Sequence, residues 1–108
     1  QSESKGVSMQ KFYALFLLFL SSVAFADKGV VIRENVCGSS NVIIETSDYW
    51  YIAAEWYGGR EFYEGTTVYG NLKTFGFEEL TDSSGNSGRY YIEDWESALE
   101  SAYDEHCD

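Results

Sequence analysis

One histidine, two cysteines and several paired acids are the groups whose types could do chemistry in this chain. His106 stands beside Cys107 near the end of the sequence, and Cys37 lies far upstream. A nucleophilic cysteine needs a supported base, and a zinc centre needs three or four ligands at short spacing. One histidine and two isolated cysteines meet neither need. Cys37 and Cys107 therefore read as a disulfide, and His106 as a residue at a helix C-terminus, where the backbone dipole favours it. No metal-ligand set, nucleophile elbow, phosphate loop or dinucleotide fingerprint occurs.

Carboxylate pairs remain. Glu61 and Glu64 flank Phe62-Tyr63, Glu55 sits among aromatics, and Glu93-Asp94 follow "YYI". Two carboxylates a few ångströms apart can hydrolyse a glycosidic bond. With 18 acids in 108 residues, however, close pairs arise by chance. The sequence points to a protein that is not an enzyme and holds no cofactor. "DSSGNSG", Asp82 to Gly88, has Ser84 where a calcium loop places its second acid, and reads as a flexible loop or wide hairpin turn.

The elements that position these groups are short. Residues 1–8 read as an expression remnant or upstream extension. Residues 9–26 have the order of a secretory signal: Lys11, then the apolar "FYALFLLFL", then Ala24-Phe25-Ala26. Ser21 and Ser22 break the apolar block before it reaches the ~20 residues of a membrane span. The domain is then 27–108, exported to an oxidising compartment where a disulfide persists. It holds five bases against seventeen acids, a net charge near −12. Nucleic acid is excluded as a partner, because phosphate needs a basic face, and anionic membrane surfaces are disfavoured for the same reason. Cations, basic proteins, neutral sugars and apolar surfaces stay open.

The stretch "DYWYIAAEWYGGREFYEG", Asp48 to Gly65, has two Trp, four Tyr and one Phe in 18 residues. Alternation places Trp50, Ile52, Ala54 and Trp56 on one face of a strand and Tyr49, Tyr51, Ala53, Glu55 and Tyr57 on the other. The first face suits a core. The second, with Phe62, Tyr63 and Tyr69 and a rim of Glu55, Glu61 and Glu64, suits a binding patch. The candidate binding residues are Tyr49, Tyr51, Glu55, Tyr57, Glu61 and Tyr63. "NVIIET", Asn41 to Thr46, and "GRYYIEDW", Gly88 to Trp95, also read as strands. Gly29–Ser40 opens as an edge strand, and Thr67–Phe77 as a strand bent at Gly70 and Gly76. Trp95, Ala98, Leu99, Ala102 and Tyr103 share a helical face, with Asp94 as N-cap and Glu96 in the first turn. The expected fold is α+β, mainly β. It is a small curled antiparallel sheet or SH3-like barrel of four to five strands, with one C-terminal helix and one disulfide.

"AEWYGG" (Ala54 to Gly59), "EGTTVYGNLKTFGF" (Glu64 to Phe77) and "YIEDW" (Tyr91 to Trp95) together resemble a motif series in small bacterial proteins of unassigned activity. The likeness covers about half of residues 27–108 and implies a bacterial β-rich domain, with no activity to carry over. The cysteine pair and the signal lie outside that pattern. The resulting expectation is a periplasmic or secreted monomer that binds a partner through an acidic-aromatic sheet face. Alternatives are an inhibitor or immunity protein against a basic secreted hydrolase, and a glycan-binding module.

Overall fold

The computed structural model describes residues 27–107, so the expected signal and upstream extension lie outside the described residues. Six strands follow in chain order: β1 (Asp27–Arg33), β2 (Asn41–Thr46), β3 (Tyr51–Gly59), β4 (Thr67–Gly70), β5 (Gly76–Asp82) and β6 (Ser87–Glu96). A helix, α1 (Leu99–Cys107), ends the fold. The strands are all antiparallel and close into a barrel in the order β1-β2-β3-β6-β5-β4. The count is six rather than four to five. Thr67–Phe77 is two strands, because the chain turns out of the sheet between Gly70 and Gly76. Nor is β1 an edge, since it pairs with both β2 and β4.

The interior is filled by alternate residues, as a half-buried strand requires. Val31, Val42, Ile44, Ile52, Ala54, Val68, Leu80, Tyr90 and Ile92 form one buried cluster with Phe62 and Leu72. The last two come from connections rather than strands, and they plug the two ends. Leu72 closes the end where β1 and β3 begin, and Asp27 Oδ2 accepts its backbone N–H at 3.0 Å. Trp50 and Trp95 meet there edge-to-face at 5.0 Å. Phe62 closes the other end, stacked on Tyr90 at 5.8 Å. Its backbone N–H donates to the Tyr90 hydroxyl at 2.7 Å. Phe62 therefore belongs to the core and not to a surface patch, because the loop after β3 folds inward across the barrel mouth. Gly88 permits this approach: a Cβ on it would stand 2.0 Å from the Arg60 carbonyl oxygen.

A second, smaller cluster lies outside the barrel. Ala102, Leu99 and Tyr103 of α1 pack against Ile43, Tyr51, Ile32 and Val36, the last from a 3-10 turn at Val36–Gly38. The disulfide Cys37–Cys107 joins that turn to the helix end, with Cα atoms 5.6 Å apart and a sequence separation of 70. Constraining so long a loop contributes roughly 4 kcal/mol on the chain-entropy view.

The helix begins at Leu99, four residues later than Trp95 and its neighbours suggest. Trp95 stays in β6 because its side chain fits the barrel end beside Trp50. The pairing of β6 with β3 shifts by one residue between Ile92 and Asp94, which places Glu93 in a bulge. Ile92 and Trp95 both reach the interior cluster across this bulge. Such an insertion re-aims side chains. Here it turns the acids Glu93, Asp94 and Glu96 away from the interior, toward the helix. Asp94 is thus a strand residue whose Oδ1 accepts the Trp95 N–H at 2.8 Å, and Glu100 takes the first-turn position expected of Glu96. No helix of the described residues is long and apolar enough to cross a membrane.

Candidate functional site

The outer faces of β3, β6 and β5 bring three rings together. Phe77 and Tyr91 are direct cross-strand partners, and their rings meet edge-to-face at 4.9 Å. Tyr57, at the β3 shift between Trp56 and Gly58, packs edge-to-face on Phe77 at 5.1 Å and lies 6.3 Å from Tyr91. Edge-to-face packing sets positive ring edges against negative faces, so each ring restrains the others. All three stay in contact with solvent: Tyr57 is 55% exposed, Phe77 48% and Tyr91 38%. Phe75, two residues before Phe77, is 64% exposed.

Charge borders the cluster on two sides. The Arg89 guanidinium sits over the Phe77 ring at 4.4 Å, a cation–π contact that fills one face. On the side nearer the helix stand Glu55 and Glu93. The Glu55 carboxylate accepts a hydrogen bond from the Tyr57 hydroxyl at 3.5 Å, and its charge, with lesser effects of burial and of Glu93, pushes the phenol up from its usual value. Glu93 is itself raised, first by burial and further by Glu55 and Glu105, with His106 acting in the opposite direction. Beyond it Asp94, Glu96 and Glu105 bring carboxylate oxygens within 4.8 Å of one another. Glu96 is raised, first by its hydrogen bond with Asp94.

The six candidate residues are not one surface. Glu55 and Tyr57 belong to the cluster just described. Tyr51 lies half-buried under α1, its hydroxyl raised by hydrogen bonding to Glu45. Tyr49 is in the β2–β3 turn with φ +66°, beside a cleft of about 210 Å³ lined by Lys28, Val30 and Glu45. Glu61 and Tyr63 line a separate, open cleft of about 320 Å³ with Arg60, Thr66 and Asp82. Phe77, Tyr91 and Arg89 were outside the candidate set. Alternation does turn Tyr91 away from Tyr90 and Ile92, but their meeting with Tyr57 depends on the strand order β3-β6-β5.

Asp82 organises the loop that follows it. Its Oδ1 accepts N–H groups from Ser84 and Asn86 at 3.0 and 2.9 Å, and its Oδ2 accepts the Asn86 amide at 3.1 Å. These bonds, those from Asn86 foremost, hold the Asp82 carboxyl below its usual range. The carboxylate is thereby committed to closing the hairpin.

Comparison of the chain with protein-family models, with curated proteins and with solved structures finds no match. The site is therefore read from its own chemistry. Exposed, mutually restrained rings beside carboxylates favour contact with apolar surface and cations.

Proposed function

We propose that this chain is an exported, non-catalytic binding domain that recognises a basic protein through Tyr57, Phe77 and Tyr91. The observation that carries the reading is the exposure of three packed rings on a small six-stranded barrel of strongly negative charge. Rings held in place lose little freedom on binding, which is the usual character of an interface anchor. Glu55 beside them supplies charge that attracts lysine and arginine, and the net charge steers such a partner from a distance. Export to a bacterial periplasm or beyond is supported by a disulfide in so small a domain. Inhibition of a basic secreted hydrolase is the narrower form of this function, with the monomer as the binding unit.

The test is recovery of partners from periplasmic extract on immobilised protein, wild type against Tyr57→Ala/Tyr91→Ala. Losing two anchors of about 2 kcal/mol each weakens binding by roughly 1,000-fold. Recovery should fall in the variant and also at about 1 M salt, where the screening length shrinks to about 3 Å. A partner lost in the variant but indifferent to salt identifies glycan stacking instead. Equal recovery by both proteins removes the face from consideration.

A further inference from the structure

His106 is the one histidine of the chain, and its side chain is 0% exposed. Both ring nitrogens face acceptors. Nε2 lies 2.9 Å from the Val42 carbonyl oxygen, which can only accept, so Nε2 carries a hydrogen. Nδ1 lies 3.1 Å from Glu93 Oε1, and has no hydrogen-bond partner unless a proton stands between the two. A neutral ring protonated at Nε2 would set the Nδ1 lone pair against a carboxylate, away from water. Unpaired buried acceptors are costly, and two in opposition more so.

We infer that His106 and Glu93 share one additional proton at neutral pH, and that this proton clasps the last turn of α1 to the barrel. Either distribution satisfies the geometry: imidazolium with carboxylate, or neutral ring with carboxylic acid. Protonation balances as one proton bound when the helix end docks and one released when the pair opens to solvent. Burial of Glu93 works in the direction that keeps the proton.

The surroundings are otherwise acidic or neutral, apart from Arg33. β3 contributes Glu55 and α1 contributes Glu105, both raising Glu93. β6 contributes Asp94 and Glu96, grouped with Glu105. β2 offers the Val42 carbonyl, and the 3-10 turn offers the disulfide, which does not titrate. Arg33 of β1 reaches the helix at Tyr103, whose hydroxyl accepts its Nε–H at 3.0 Å. Glu55 and Glu105 both favour retaining the proton.

The sign follows from linkage. A group that binds a proton more firmly when folded supports the fold at low pH and withdraws that support as pH rises through its release. Loss of the clasp loosens the helix end, while the adjacent disulfide keeps it from leaving.

The single imidazole makes the test unambiguous. Its nitrogen spectrum at about pH 7 should show hydrogen on Nε2 and a protonated or hydrogen-bonded Nδ1, turning to a bare nitrogen at higher pH. Thermal midpoints should be compared for wild type and Glu93→Gln, whose side-chain amide can donate to Nδ1 without taking up a proton. From about pH 6 to about pH 9 the wild-type midpoint should fall by about 5 °C more than that of the variant. A bare Nδ1 at neutral pH overturns the inference, and so do two pH profiles that superimpose. Should Glu93→Gln fail to fold, the wild-type spectrum decides alone.

Discussion

Tyr90 shows how much one polar atom can decide inside a barrel. Its ring fills the interior, and its hydroxyl is the partner of the Phe62 N–H. Tyr90→Phe keeps the shape and orphans that donor. Urea unfolding should show a loss of about 1–3 kcal/mol, the cost of an unsatisfied buried group. The same burial pushes the phenol up to about 12. Tyrosine in the unfolded chain ionises near pH 10. The fold therefore loses stability as pH rises from about 10 toward 12, a loss that Tyr90→Phe removes and that absorbance of tyrosinate would follow. Tyr49 presents the reverse case. Its φ of +66° costs a side chain about 1–2 kcal/mol. Tyr49→Gly should leave thermal stability unchanged or raise it by up to about 1 kcal/mol, since the gain is offset by a looser unfolded chain. In the sequence the inward positions of Ile52, Tyr90 and Ile92 are legible, because period-two alternation is a local property. The donor that Tyr90 serves is 28 residues away, and no local pattern discloses it.

"NVIIET" is legible as a strand from its β-branched run, buried on both faces, and "GRYYIEDW" from residues that alternate in burial. Two features hide from that pattern. β4 holds only four residues, too few to separate from β5 by alternation. The bulge at Glu93 is the other. It breaks the period inside β6 just where a helical spacing also fits, so Trp95 resembles the first residue of a helix while lying in the barrel end. The aromatic cluster is obscured for a related reason, since Tyr57, Phe77 and Tyr91 sit on three strands whose order the sequence does not state. Deleting Glu93 would remove the bulge, restore strict alternation and leave Ile92 and Trp95 both facing inward. Such a variant should keep the wild-type tryptophan emission, and a red shift would show that Trp95 had left the barrel end. Cys37→Ala/Cys107→Ala tests the helix clasp in another way. It should cost roughly 2–4 kcal/mol by chemical denaturation while β-sheet circular dichroism persists, because the covalent link lies outside the barrel.

At the scale of the molecule, charge and closure govern behaviour. A domain with five bases against seventeen acids repels itself, so thermal stability should rise with salt between about 0.01 and 0.5 M as screening sets in. The ring of strands is also uneven. β3 and β6 pair along eight positions, whereas β4 and β5 share two, Val68 with Asp82 and Tyr69 with Thr81. Cutting the ring at that seam leaves every other pairing intact and turns the barrel into one continuous curled sheet. Thermal breathing should therefore begin there, with amide hydrogen exchange fastest across β4 and the facing half of β5, and slowest along β3. Val68 and Leu80 would be the first interior side chains to meet water, in a brief opening on the side opposite the covalent tie.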